Sequence, residues 1–370
     1  MNDLAIVGGG PAGLATAIWA AQRGLSSVVL EQRLLPLDKA CGEGLMPPGV
    51  AALAAMGVEV PAWGRTPFVG IRYIDGAVIA EGRFQDGPGW GVRRTALVQG
   101  MVGRARALGV DMRYGCPASA WRRSAGGRVE VETPRGSVQA RVLVGADGLV
   151  SRVRREAGLG RPRRDQGRFG VRRHYRLAPW SSFVEVYWGD GAEAYITPVG
   201  ASLVGVAFLW DGTGETFDDL LARFPALRDR LGDAPTESET RGGGPFRQRV
   251  RRRHTEDVAL VGDAAGYLDA LTGEGLTLAF HCAGALVEVL AHGKSLRAYE
   301  SDYRRLSRTY YWVTGLLLAV RKRPWLRRRM MNALARQPGL FDRLLAINCG
   351  EPLASLGVGG LLRLINGMAR

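Results

Sequence analysis

The sequence predicts an α/β protein: a Rossmann-like framework of parallel strands and helices, an inserted antiparallel β-sheet, and a helical C-terminal tail. Three observations carry that prediction. Patterns of buried strand and helix alternate in three separated stretches, 1–63, 90–160 and 250–310. Strand-rich stretches at 64–89 and 161–249 interrupt them. From 311 to 370 the pattern is helical, broken at Pro324, Pro338 and Pro352.

Leu4-Ala5-Ile6-Val7 is an unbroken apolar run, as expected of a strand buried on both faces. A glycine loop follows, then a helical run over 14–23 with Gly24 at its end, where a left-handed cap suits glycine. Val28-Val29-Leu30-Glu31 is the second buried strand and completes a βαβ unit. Residues 94–108 read as a helix ending at Gly109, with a strand over 110–114 behind it. Segments 117–123, 128–133 and 137–140 read as short antiparallel strands, and Val142-Leu143-Val144 as a return to buried parallel strand. In the inserted region strands are expected at 183–188 and 203–209. A last buried strand at 258–261 precedes a helix over 275–292.

Composition narrows the class. The 370 residues are 46% hydrophobic and 23% charged, which excludes a largely disordered chain and a polytopic membrane protein. The 52 glycines are about twice the usual share and show no collagen period, so they point to tight turns and close backbone approach to a ligand. Net charge is +15, with Lys39, Lys294 and Lys322 the only lysines. The basic residues are dispersed and no zinc-finger, homeodomain or RRM pattern accompanies them, so no nucleic-acid partner is expected. Cys41, Cys116, Cys282 and Cys349 lie far apart, which argues against a disulfide framework or a metal site. His174, His254, His281 and His292 lack ligand spacing and read as structural or solvent-facing. The first strand leaves no room for a signal peptide, and the apolar run 313–320 is far short of the ~20 residues of a membrane span, so a cytoplasmic location is expected.

Three motifs carry chemistry. Gly8-x-Gly10-x-x-Gly13 follows a strand, opens a helix, and precedes Glu31 at the end of the next strand. Gly8 permits the turn, Gly10 lets backbone approach a pyrophosphate, and Gly13 lets helix and strand pack closely. The helix N-terminus favours phosphate charge, and Glu31 can accept hydrogen bonds from a ribose. Val144-Gly145-Ala146-Asp147-Gly148 and Leu260-Val261-Gly262-Asp263-Ala264-Ala265-Gly266 each end a buried strand in glycine and aspartate at a turn. A carboxylate there can hold a sugar or ribityl hydroxyl, although a lone Asp-Gly is as readily an ordinary turn.

In this order the three motifs resemble the flavoprotein hydroxylase superfamily, which includes aromatic hydroxylases, squalene monooxygenase and geranylgeranyl reductases. The resemblance covers about 1–300. It implies a Rossmann-like FAD-binding domain of the glutathione-reductase type, an inserted antiparallel substrate domain and a helical tail. It implies FAD as cofactor, with NADPH or NADH as a transient reductant that has no Rossmann domain of its own. The cofactor contacts it implies are Gly8, Gly10, Pro11, Ala12, Gly13, Glu31, Gln32, Gly42, Arg94, Asp147, Gly262, Asp263, Gly273, Gly275 and Leu276.

Two further segments bear on the branch. Cys41-Gly42-Glu43-Gly44-Leu45 is similar to the Cys-Gly-Gly-Gly-Leu type segment of geranylgeranyl reductases, where the cysteine lies beside the isoalloxazine. Leu271-Thr272-Gly273-Glu274-Gly275-Leu276 resembles a reductase segment and, with Thr277-Leu278-Ala279, one of squalene monooxygenase. Both families open a helix there under the pyrimidine end of the flavin. Cys41, Glu274 and Tyr195 are the catalytic candidates; Tyr195 reads equally as a core tyrosine. The aromatic strand of the reductases survives only as Tyr195 and Pro198 in Glu193-Ala194-Tyr195-Ile196-Thr197-Pro198. Flavin halogenases need a lysine where Val69 and Arg72 stand. The resemblance therefore implies either of two reactions on a hydrophobic small molecule: hydroxylation or epoxidation through an oxygen adduct of reduced flavin, or reduction of a carbon–carbon double bond. Between 303 and 341 there are ten basic residues and no acidic one, interleaved with Tyr310, Tyr311, Trp312 and Trp325. Such a segment either caps the substrate cavity or lies peripherally on an anionic membrane.

Overall fold

The computed structural model describes residues 2–124, 127–162 and 167–352. Its first sheet is parallel at the centre. Strands β1 (Asn2–Val7), β2 (Ser27–Glu31) and β8 (Asp111–Tyr114) pair in the order β8-β2-β1, and β11 (Gly136–Gly145) flanks β1 on its other edge. The far edge of β11 is shared. Its first half pairs antiparallel with β10 (Val129–Thr133), which pairs with β9 (Ala120–Arg123), and its second half pairs parallel with β17 (Val258–Leu260). Every residue of β2 is buried, as the unbroken apolar run requires of a strand covered on both faces.

β11 is longer than expected. The separate strands read at 137–140 and 142–144 are one strand of ten residues. Ser137, Gln139 and Arg141 face out and Val138, Ala140 and Val142 face in, so the alternation of the hairpin runs through Arg141 into the doubly buried stretch 142–145.

Helix α1 (Pro11–Gln22) starts with proline at its first turn and packs against α7 (Gly275–Ala291) and α3 (Arg94–Ala107). The second sheet takes the order β16-β12-β15-β14-β13-β5-β6. Its strands are β5 (Gly70–Asp75), β6 (Val78–Arg83), β12 (Arg168–Tyr175), β13 (Val184–Trp188), β14 (Ala192–Gly200), β15 (Leu203–Asp211) and β16 (Arg241–Gly243). All neighbours are antiparallel except β13 and β5. A small separate sheet of β3 (Gly44–Leu45), β7 (Gly89–Val92) and β4 (Arg65–Phe68) packs against β14 of the second sheet.

The tail is built from α8 (Leu296–Arg321), α9 (Pro324–Arg336) and α10 (Pro338–Asn348). The breaks fall at Pro324 and Pro338, as expected, because proline fits the first turn of a new helix and not the interior of an old one. The position 310/311 read as the start of the tail lies inside one continuous helix of 26 residues. Residues 353–370 lie outside the described residues. Met331, Leu334, Phe341 and Leu345 pack with Val186 and Trp188 of β13 on one face of the second sheet. Two tail arginines are buried and fasten it there. Arg321 reaches Glu193 at 2.5 Å and Asp211 at 2.7 Å, and Arg327 reaches Asp75 at 3.0 Å.

Candidate functional site

The end of β1, the loop before α1 and the turn after β11 form one wall of a cavity of about 1200 Å³. That lies above the ~300–1,000 Å³ of a typical ligand pocket. The three motif glycines divide the work. Gly8 has φ +112°, and a Cβ on it would lie 2.4 Å from the Ala146 carbonyl oxygen. A Cβ on Gly13 would lie 1.9 Å from the Gly8 carbonyl oxygen, so Gly13 serves packing. A Cβ on Gly10 would meet nothing within 4 Å, so Gly10 faces the open cavity. Gly10 is also the N-cap of α1 and offers no side chain to the first-turn N–H groups, which leaves them for an anion.

Pro11, Ala12, Gln32, Gly42, Leu276 and Gly262 line the same cavity, as do Gly273 and Gly275 at the start of α7. Glu31 does so while binding the Gly9 N–H at 2.7 Å and the Arg33 N–H at 2.9 Å, which fixes its carboxylate against the loop. Asp263 lines it and pairs with Lys39 Nζ at 3.3 Å. Asp147 lines it too, but its carboxylate is engaged within the chain. It accepts from Ser151 Oγ at 2.5 Å and from the N–H groups of Arg152 and Val153 at 2.7 and 3.1 Å, holding the start of α4 (Arg152–Glu156). Arg94, at the start of α3, lines the cavity with a buried Nε that has no protein partner. A buried guanidinium nitrogen without an acceptor, a glycine open to the groove and two uncapped helix N-termini fit FAD, whose phosphates and flavin carbonyls are acceptors.

Cys41 lines the cavity, and its Sγ accepts a 3.3 Å hydrogen bond from the Glu43 N–H. Tyr195 lines it from β14, and its hydroxyl donates to the Leu271 carbonyl at 3.2 Å, tying the sheet to the loop before α7. Glu274 does not line it. It is the N-cap residue of α7, is buried, leaves Oε2 without a partner, and lies near Cys349 at the end of α10. Burial, against a weaker opposing hydrogen bond from Thr272, pushes its carboxyl up to about 8, so it is neutral at pH 7.

Sequence reasoning missed the group that holds the Cys41 segment. Glu43 has φ +59°, the one left-handed non-glycine among the described residues. Its buried carboxylate accepts from the Arg94 N–H at 2.8 Å and lies 2.6 Å from Nε2 of His174 on β12. A carboxylate only accepts, so Nε2 carries the hydrogen and Nδ1 accepts from Ser238 Oγ, 2.6 Å away. Arg93 closes on the same His174 ring, and Arg172 links it to Asp38. Burial disfavours the charge on Glu43, but the His174 bond and the nearby Arg172 and Arg93 outweigh it and hold the carboxyl below its ordinary range. Burial lowers His174, and Arg172 and Arg93 add to that against Glu43, so the ring is neutral. His174 is 131 positions from Glu43 and has no ligand-like spacing, so no local signal pairs them.

Beyond the glycine segments the cavity turns apolar. Phe68, Ile71, Val184, Val186 and Leu209 line it from the sheets, Met46 from the turn after β3, and Leu317, Val320, Leu334, Phe341 and Leu345 from the tail helices. The tail therefore caps the cavity. Among the described residues no helix is long and apolar enough to cross a membrane.

A Rossmann-like sheet with its glycine loop, joined to a mixed sheet across one large cavity, defines a flavoprotein oxidoreductase. The chain belongs to the FAD binding domain family, whose profile matches residues 1–302. It is similar to digeranylgeranylglycerophospholipid reductase 1 of Methanopyrus kandleri, at 28% identity over 81% of this chain and 82% of that protein. It is likewise similar to menaquinone reductase of Mycobacterium tuberculosis, at 28% identity over 78% of this chain and 76% of that one. Among solved structures, a flavoprotein/dehydrogenase from Cytophaga hutchinsonii superposes with TM-score 0.82 at 18% identity, covering 100% of this chain and 98% of that one. PqsL of Pseudomonas aeruginosa, a probable FAD-dependent monooxygenase, superposes with TM-score 0.69 at 20% identity over 94% and 99% of the two chains. These structures share the fold.

Proposed function

We propose that this flavoenzyme reduces a carbon–carbon double bond in a long apolar chain of isoprenoid type, with NADPH or NADH as electron source. The observation that carries the reading is the apolar cavity running from Cys41 and the start of α7 to the tail helices. Likeness to a digeranylgeranylglycerophospholipid reductase and a menaquinone reductase, each over most of both chains, supports it. When bound, FAD supplies the hydride donor. The chain's own residues bind, orient and exclude water. Gly10, Arg94 and the uncapped start of α7 hold the cofactor, and the apolar walls hold the alkene dry. Addition across the double bond needs a proton as well as a hydride. Cys41 gives that proton in this reading, supported by its place on the cavity wall and its contact with the Glu43 N–H. The thinned aromatic strand, Tyr195 and Pro198 alone, favours a second reading, oxygen insertion.

The test is the product. Holoenzyme, NADPH and menaquinone or a geranylgeranyl lipid should give a product heavier by two hydrogens, also under anaerobic conditions. Cys41→Ala should slow turnover while flavin content stays unchanged. A product heavier by one oxygen, formed only in air, would establish the second reading instead.

A further inference from the structure

We propose that the rim of the cavity on α8 is a docking surface for an anionic lipid bilayer. Trp312 and Leu316 lie one turn apart on α8 and are 47% and 45% exposed. Both also line the cavity, with Val313, Leu317 and Val320 on the same stretch of helix. This is therefore where the apolar interior becomes outer surface. A half-exposed tryptophan beside a leucine suits the boundary between headgroups and acyl chains, because its ring is apolar and its N–H polar.

The charge around the rim is complementary to anionic headgroups. Of the ten basic residues between 303 and 341, Arg304, Arg305, Arg321 and Arg327 are paired with carboxylates. The other six, Arg308, Lys322, Arg323, Arg328, Arg329 and Arg336, are exposed and have no carboxylate partner among the described residues. Arg308 lies one turn before Trp312, and Lys322 and Arg323 follow the end of α8. The first turn of α9 adds Trp325, 58% exposed, with Arg329 over its ring. Six exposed cations without carboxylate partners, on and between two helices that wall the apolar opening, favour a surface that is both greasy and negative over a second copy of this chain, which carries net charge +15.

This inference extends the reductase reading, because a substrate dissolved in a membrane would enter at this rim. Its test needs no turnover. Holoprotein is mixed with phosphatidylcholine vesicles, with or without phosphatidylglycerol, and bound protein is separated by flotation. Binding is expected only with phosphatidylglycerol, falling as salt rises to about 0.5 M. Trp312→Ser combined with Leu316→Ser, and separately Arg328→Glu combined with Arg329→Glu, should each weaken partition by about ten-fold or more with flavin content retained. Wild-type protein that fails to float with phosphatidylglycerol, or variants that float as well as it does, would overturn the proposal. So would a dimer, seen by light scattering, that the Trp312 and Leu316 changes dissociate. If instead vesicle binding holds and no alkene is reduced, the reductase reading fails alone.

Discussion

Tyr310 ties the tail to the loop that shapes the cofactor end of the cavity. Its hydroxyl on α8 accepts from the N–H groups of Leu268 and Asp269 at 3.1 and 3.2 Å and donates to the Asp269 carbonyl at 2.9 Å. Tyr310→Phe keeps the ring and deletes all three bonds. Asp269 is buried, so its N–H and carbonyl lose partners that water cannot replace, whereas Leu268 is partly exposed and recovers some hydration. Two buried orphans at ~1–3 kcal/mol each, less some relaxation, come to about 3 kcal/mol. Unfolding entropy near 2.1 cal/mol/K per residue converts that, for this chain melting as one unit, into a fall of about 4 °C. Differential scanning calorimetry of the holoprotein measures it, and flavin release fluorescence should report weaker FAD affinity, because Gly273, Gly275 and Leu276 follow the same loop. A fall under about 1 °C would refute the claim that the hydroxyl is the clasp.

Three further changes test separate parts of the site. Gly10→Val should abolish FAD binding, read by titration of apoprotein, while leaving apoprotein stability within about 1 kcal/mol, because its side chain points into open space; Gly13→Ala should damage both, because its Cβ strikes the Gly8 carbonyl. Glu274 is raised in the fold, so native protein binds the extra proton and loses stability as pH rises from the ordinary 4.5 to about 8; Glu274→Gln should remove that slope of up to roughly 1.4 kcal/mol per pH unit in denaturation curves and be the more stable form at pH 9. Glu43 and His174 are both lowered, so their contribution is present above pH 6.5 and is lost as pH falls below the ordinary values of 6.5 and then 4.5. His174→Leu should cost about 2 kcal/mol by removing one donor from a buried carboxylate that keeps the Arg94 N–H, and His174→Gln, which retains a donor, should recover much of it in the same assay.

How much of this was legible in the sequence follows from which interactions are local. The glycine loop, α1 and Glu31 fall within one βαβ unit of about 30 residues, so their spacing alone placed Gly8, Gly10 and Gly13. Asp147 and Asp263 both line the cavity, but the pattern could not distinguish a carboxylate offered to a ligand from one spent on capping α4. The join of the hairpin to the parallel strand in β11 was hidden by Arg141, whose outward face reads as a break unless the alternation is followed through it. The Glu43–His174 pair and the buried Arg321–Glu193 and Arg327–Asp75 pairs were out of reach, because each joins elements more than a hundred residues apart. An arginine run looks solvated in sequence. Only the second sheet, rich in inward carboxylates, shows which of its members are drawn inside.

Helix α8 has a consequence for recombination. Its first turns carry Leu296, Tyr299 and Tyr303 in the core of the parallel sheet, where the Tyr299 hydroxyl donates to the Leu260 carbonyl at 2.8 Å. Its last turns wall the apolar cavity. One rod thus belongs to two modules, and a graft made at its middle would hand each parent half a helix with mismatched faces. Exchanging substrate preference between relatives would instead require a splice at Lys322–Arg323, where the chain turns into α9 and no core residue is divided. The chamber roof beyond that point can be exchanged together with the residues it packs on, Asp75, Val186 and Trp188, whereas the α8 wall must be redesigned in place.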